Sequence, residues 1–254
     1  MENTLVSVPP QRPEVVNEIL SSLKRYDVLV IKDLQDYLDE QTTRNFQDLN
    51  SNLALLKLYE LTNPEVDENE REYYSIKVLL KGLINFNYAD FQLYLNLLPS
   101  YTIINETAPF LNSFNEKVQK LISIYNILVN CKFINFWQIF NSDDFLKQKI
   151  ILTHYKSLEN LKFELQKAIS VLISITYNSI DYKFLQASLD FENDKIGFEK
   201  FITADLNWEI KNDKVLIKSK DARIAIEEEK IININNENVS FDQISRLIKK
   251  AFEN

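Results

Sequence analysis

The chain has 254 residues, a net charge of −8, and charged and apolar fractions of 26% and 45%, the profile of an ordinary globular protein rather than a disordered one. At this length roughly 70 to 75% of the unfolded surface can be buried, so one or two domains with an unstapled core are feasible. Two glycines, one histidine and one cysteine exclude Gly-rich phosphate loops, His-rich or thiolate metal sites and internal disulfides. The acidic balance disfavours direct nucleic-acid binding. No apolar run reaches the roughly 18 residues that span a bilayer, and no secretory leader is recognisable. The expectation is a soluble protein of the cytosol or nucleus, the cytoplasm being preferred, with no membrane partner and no cofactor.

Residues 1–12 carry Pro9 and Pro10 without apolar periodicity and read as a mobile tail. Pro13 suits the first position of a helix with Val16, Ile19, Leu20 and Leu23 inward. A second helix turns Ile31, Leu34, Tyr37 and Leu38 inward. A third, about Thr43 to Leu61, has Phe46, Leu49, Leu53 and Leu56 as a stripe, widened by Leu55, Leu58 and Tyr59. Thr62 to Glu70, with Asn63-Pro64 and four acids, reads as a solvated connector. A fourth helix, about Arg71 to Ile84, presents Tyr73, Ile76, Leu79, Leu80 and Leu83. Gly82 within it is about 1 kcal/mol worse than Ala, which implies a closely packed neighbour.

A fifth helix covers Asp90 to Leu98. After a polar link, a long helix starts near Pro109 and carries Phe110, Phe114, Val118, Leu121, Ile122, Tyr125 and Leu128. A short aromatic helix then holds Phe133, Phe136, Trp137 and Phe140, and another covers Asp144 to Tyr155 with Ser142 as its cap. Paired helices with short links form a HEAT-like antiparallel helical repeat layer, expected over 13–156 without a strict sequence period.

At Leu158 to Leu189 the architecture changes. Leu158, Leu161, Leu165, Ala168, Ile169 and Leu172 line one helix face, and Val171, Leu172, Ile173 and Ile175 spread apolar surface around the helix end, as in an element buried on all sides. Thr176-Tyr177-Asn178 breaks the pattern, Ser179 offers a cap, and Ile180, Phe184, Leu185 and Leu189 form a new stripe. Asp194 to Thr203 is a short helix with Ile196, Phe198, Phe201 and Ile202 apolar. Leu206 to Ile210, a turn at Lys211-Asn212-Asp213 and Val215 to Ile217 make a hairpin. Helix, helix, helix, hairpin is winged-helix order, so a connecting core helix and a winged helix are expected over 157–220, sharing one core with the layer. In 221–254, Arg223 to Ile234 stays undecided between strand and helix. Ser240 and Gln243 then open a C-terminal helix bearing Phe241, Ile244, Leu247, Ile248 and Phe252. The class is mostly α.

Candidate chemistry is sparse. A Cys131–His154 thiol hydrolase is conceivable, but Cys131 beside the aromatic helix reads as a small packed thiol. Asp143-Asp144 and Asp190 with Glu192 read as caps, and no catalytic residue is expected. The helix before the hairpin sets Lys195 and Lys200 against Asp194, Glu199 and Asp205, which is no basic stripe. Lys211, Lys214, Lys218 and Lys220, partly answered by Glu209 and Asp213, leave weak RNA contact through the wing as an alternative. The nominated partner surface is Trp208, Ile210, Val215 and Ile217 on the wing, with Trp208 also readable as core, and Ile244, Leu247, Ile248 and Phe252 on the terminal helix. That apolar helix either folds back on its own domain or joins a bundle with other subunits.

Four segments carry a family resemblance. Asp48-Leu49-Asn50-Ser51-Asn52-Leu53-Ala54-Leu55-Leu56-Lys57-Leu58-Tyr59 resembles the most recognisable segment of subunit k of eukaryotic translation initiation factor 3, flanked by Arg25-Tyr26 and by Lys77-Val78-Leu79-Leu80-Lys81-Gly82-Leu83. Cys131-Lys132-Phe133-Ile134-Asn135-Phe136-Trp137-Gln138 and Ile175-Thr176-Tyr177-Asn178-Ser179-Ile180-Asp181 are similar to its later signatures. The resemblance runs from Arg25 to Trp208, with an echo at Phe241-Asp242-Gln243-Ile244. It implies a HEAT-like layer followed by a winged helix, as in PCI-type subunits of the proteasome lid and signalosome. It further implies a non-catalytic scaffold subunit of the initiation factor, pairing most directly with subunit l in a complex that binds the small ribosomal subunit and mRNA.

Overall fold

Helix ends, more than helix middles, decide how the first part of the chain is laid out. The structure, a computed structural model, describes residues 8–62, 67–99, 113–155, 157–211 and 213–217. Pro109, Phe110, Lys218, Lys220, the segment from Arg223 and the terminal helix with Ile244, Leu247, Ile248 and Phe252 lie outside the described residues. The described residues fall into two compact units, one made of those up to 169 together with 187–190 and the other of 170–186 with those from 191 to 217.

In the first unit, α1 (Glu14–Ser21) follows Pro13 and buries Val16 and Ile19. Ser22 turns extended and ends it, so Leu23, expected inward, is 84% exposed in a 3₁₀ turn. α2 (Ile31–Arg44) buries Ile31, Leu34, Tyr37 and Leu38, as their spacing predicts. It also takes in Thr43, and Asn45 closes it in the left-handed conformation, with φ 56°. Asp48 then caps α3 (Leu49–Leu61) by accepting the Ser51 N–H. Phe46 therefore stays outside α3, with its ring 5.8 Å from Tyr37. The buried side of α3 is Ala54, Leu55, Leu56, Leu58 and Tyr59, while Leu49 and Leu53 are half-buried.

α4 (Glu68–Ile84) begins at Glu68 rather than Arg71 because Asp67 caps it, and every residue from Tyr74 to Ile84 is buried. It packs on α2, α3, α5 (Asp90–Leu95) and α6 (Ser113–Val129). Gly82 permits the close approach of α5. A Cβ there would lie 2.8 Å from Tyr94 Cδ2 and 2.9 Å from Phe91 Cα. On its other side Phe91 stacks on Tyr125 of α6 at 4.3 Å.

At the end of α6 the Lys132 N–H donates to Ile127 O and the Cys131 N–H to Leu128 O, a Schellman closure with Cys131 left-handed at φ 56°. Cys131 is consequently exposed, not packed against the aromatic helix. α7 (Phe133–Ser142) buries Phe133, Phe136, Trp137 and Phe140. Ser142 bonds back to Gln138 O, so the next turn is capped by Asp143, which accepts the Leu146 N–H at 3.0 Å. A π-helical run, Leu146–Ile151, leads into the short α8 (Leu152–His154).

α9 (Leu158–Thr176) follows, and the division between the two units falls inside it, at 169/170. Its buried stripe is Leu161, Leu165, Ile169 and Ile173; Val171, expected inside an all-round buried end, is 41% exposed. Ser179, Ile180 and Asp181 form strand β1 (Ser179–Asp181) instead of a helix start. Asp181, not Ser179, caps α10 (Tyr182–Ser188), accepting the Phe184 N–H at 3.1 Å.

In the second unit α11 (Lys195–Lys200) starts at Asp194, whose carboxylate accepts the Gly197 N–H at 2.8 Å, and a π-turn continues it to Asp205. Ile196 points outward at 79% exposure, against expectation, whereas Phe198, Phe201 and Ile202 are buried. β2 (Glu209–Lys211) and β3 (Lys214–Leu216) pair antiparallel with Lys211 opposite Lys214, and Asp213 is left-handed at φ 61°. The sheet order is β1-β3-β2. Ile180, Val215 and Ile210 stand opposite one another and so share one face. Mostly helical, with a helical layer and a winged-helix-like end, the architecture has the class expected of the chain.

Gly82→Ala gains about 1 kcal/mol of helix propensity but drives a methyl into Tyr94 and the Phe91 backbone, so the expected net loss is about 2 kcal/mol. Urea unfolding measures it; a stabilised variant would show that α5 gives way freely.

Candidate functional site

The recognisable segments resolve into buried polar joints. Asp48, its side chain fully buried, accepts both Nε and Nη2 of Arg12, at 2.5 and 2.7 Å, and the Tyr37 hydroxyl at 3.1 Å. Arg12 is thereby pinned, with 5% of its side chain exposed, although its sequence neighbourhood reads as mobile tail. The Asp48 N–H donates to Gln41 Oε1, and Gln41 and Asn52 exchange a pair of amide bonds at 3.0 and 3.2 Å. Asn52 and Gln47 both donate to the Tyr94 hydroxyl, and Gln47 also to Asp90 at 2.7 Å. The first segment is thus the centre of a network joining Arg12, α2, α3 and α5.

The aromatic segment makes another joint. The Trp137 Nε1–H donates to Ser188 O at 2.8 Å and the Gln166 amide to Leu189 O at 2.7 Å. Asp190, left-handed at φ 58°, accepts from Lys162 at 2.6 Å and from Asn141 at 3.0 Å. It closes a helix and holds an ion pair, where the sequence suggested only a cap. Residues 187–190 belong to the first unit for this reason. In the last segment Asn178 O accepts the Ile217 N–H at 3.0 Å, which ties the start of β1 to the end of the hairpin.

Of the nominated surface residues, Trp208 is 3% exposed and Val215 fully buried, so both support the wing from inside. Ile210 and Ile217 are half-buried. Lys211 is paired with Glu209 at 3.1 Å and Lys195 with Glu199 at 4.0 Å. Periodicity missed the larger exposed apolar groups. Val15, Leu23, Tyr26 and Leu29 are exposed in the first unit, and Val171, Tyr177, Phe184 and Ile196 in the second. Leu23 and Ile196 continue an inward spacing whose helix turn ends or shifts, a signal that caps, not spacing, carry.

Cys131 and His154 are not hydrogen-bonded to each other. The thiol's contact is Val129 O at 3.8 Å, and both His154 nitrogens lack partners among the described residues. Burial, with Lys117 and Lys77 adding repulsion, lowers the His154 pKa to about 3. Burial likewise lowers Lys81 to about 8, with Glu164 partly opposing it. Among the described residues no cluster of His, Cys, Asp and Glu could hold a metal, and no helix is long and apolar enough to cross a membrane.

A layer of helices packed on their sequence neighbours, followed by three helices and a three-stranded antiparallel sheet, defines a helical-repeat and winged-helix protein. A family model described as the CSN8/PSMD8/EIF3K family matches residues 68–228, and the chain belongs to that family. It is similar to eukaryotic translation initiation factor 3 subunit K of Yarrowia lipolytica, 30% identical over 99% of this chain and 100% of the relative. The same-named proteins of Phaeosphaeria nodorum and Emericella nidulans are 31% and 30% identical, over 96% and 95% of each chain.

Asp48→Asn keeps the cap but strands the buried Arg12 charge, an expected loss of about 3 kcal/mol by urea unfolding. The Arg12→Leu/Asp48→Asn double variant recovers part of it. For His154 the folded pKa lies below the unfolded value of 6.5, so the unfolded chain binds more protons between pH 6.5 and 3. Stability therefore falls as pH drops from about 6.5, with about 2 to 3 kcal/mol from this group lost by pH 4.5. In His154→Gln that part of the slope disappears from a pH series of denaturation midpoints.

Proposed function

We propose that this chain is a non-catalytic scaffold subunit of translation initiation factor 3, occupying the subunit k position. The carrying observation is the match, end to end, to proteins named subunit K of that factor at about 30% identity. In this reading the chain works in the cytoplasm, pairs most directly with subunit l, and reaches the small ribosomal subunit through the assembled complex. The contact surface is the wing, through Ile210 and Ile217 braced by Trp208 and Val215, together with Ile244, Leu247, Ile248 and Phe252. Exposed apolar side chains in the winged unit, at Val171, Tyr177, Phe184 and Ile196, favour protein over RNA as the partner.

Co-expression with subunit l is the test. The expected result is a stable complex burying more than roughly 1,000 Å², which Ile244→Glu with Leu247→Glu takes apart while the chain stays folded. No complex, or one indifferent to those charges, removes the reading. Affinity purification from the source cell separates it from a proteasome-lid or signalosome role by naming the co-purifying subunits.

A further inference from the structure

Between the last turns of α3 and the first turns of α4, on the first unit, lies a cleft of about 500 Å³. Leu56, Tyr59 and Glu60 face it from α3, and Glu68, Arg71, Glu72 and Ser75 from α4. Each set has the three-and-four spacing of one helix face, so the cleft is a groove between two helices. Leu98, after α5, and Phe114, in the first turn of α6, complete its apolar part. Leu56, Tyr59, Leu98 and Phe114 are buried, whereas the charged lining residues are half-buried or exposed. An apolar floor inside a polar rim is the anatomy of a protein-binding patch.

Two polar groups of the lining lack partners. Ser75 is 3% exposed, yet its hydroxyl makes no hydrogen bond among the described residues, a state native interiors seldom allow. Glu72, one turn before it, makes neither a side-chain hydrogen bond nor an ion pair among them. By contrast Glu60 is held by Lys57 at 2.6 Å, and Glu68 lies 3.9 Å from Arg71. Burial, with Glu68 adding repulsion, raises the Glu72 pKa although Lys117 and Arg71 act to lower it, so its charge is only partly answered. Three carboxylates share the lining with one guanidinium, and the group that complements them is a cation. Its donors suit both the Glu72 carboxylate, which only accepts, and the Ser75 oxygen. The volume, within the 300 to 1,000 Å³ of ordinary ligand pockets, leaves room for an apolar group over the floor.

We propose that this groove docks a short segment of a partner protein in which a lysine or arginine adjoins a large apolar side chain, the cation on Glu72 and Ser75 and the apolar group on Leu98 and Phe114. The proposal is independent of the wing surface and of which complex the chain joins, so its failure leaves the subunit reading intact. Its test is a titration of the full-length, isotope-labelled chain at pH 7 and constant ionic strength, read at the backbone amides of Glu72 and Ser75. The probes are N-acetyl-leucyl-arginine amide, the citrulline analogue without the charge, the glutamate analogue with the opposite charge, and N-acetyl-seryl-arginine amide without the apolar group.

The expected result is a saturable shift with the leucyl-arginine probe, at least fivefold weaker with the citrulline and seryl probes and absent with the glutamate probe. Glu72→Gln, a neutral isostere at a half-buried position, removes the preference for arginine over citrulline. Equal binding of those two probes by the unaltered chain, a preference for glutamate, or an arginine preference that survives Glu72→Gln overturns the proposal. So does the absence of any shift, the outcome when another segment of this chain fills the groove.

Discussion

A carboxylate with no exposed side-chain surface must be given its full set of donors, and the way Asp48 obtains them organises the first unit. It accepts the Arg12 guanidinium, the Tyr37 hydroxyl and a backbone N–H of the helix it caps, so three separate stretches of chain have to meet at one atom group. The requirement propagates. Gln41 and Asn52 complete the backbone around Asp48, Asn52 reaches the Tyr94 hydroxyl, and the Tyr94 ring lies where a Cβ of Gly82 would be. Polar satisfaction on one side of Tyr94 and steric room on the other are therefore one constraint. Apolar burial alone would tolerate sliding of α5 along α4; hydrogen bonds of fixed direction do not.

The scarcity of glycine sets a second constraint. Among the described residues five that are not glycine, Asn45, Cys131, Asp190, Asn207 and Asp213, hold the left-handed conformation that glycine usually supplies. Four are Asn or Asp, whose short polar side chains tolerate it. Cys131 has no such excuse, and its exposed thiol follows from its station at a helix end rather than from any reactivity. Scarce glycine says nothing against tight helix closures, because Asn and Asp perform them.

Helix existence was legible from spacing, and the strongest cases were those with a wide apolar face. α2, α7 and the buried middle of α4 are where the three-and-four pattern put them, and Gly82 announced its neighbour. Boundaries failed where a capping acid outcompeted a better-known cap. Asp48, Asp67 and Asp181 each moved a helix start, in the last case releasing Ser179 and Ile180 to make a strand, while Asp143 took the cap from Ser142 and left the start at Asp144. A three-residue strand has too few residues to show a period of two, so β1 was invisible until its partner, Val215, could be placed. The Glu72 groove was equally hidden, since it needs α4, the chain after α5 and α6 together, and these are distant in sequence.

The segments that made the family recognisable all lie at joints: a capped start, a helix crossing, a tryptophan gripping a turn, a strand beside a hairpin. Each combines residue types that few alternatives replace, because a buried polar atom left unpaired costs more than a methyl group lost. Exposed apolar residues such as Leu29 or Ile196 carry no such penalty in the isolated chain and leave no motif. A binding surface is under constraint only when its partner is present, whereas an interior is under constraint in every chain that folds. Kinship is thus legible in the buried joints, which are constrained in every chain that folds this way.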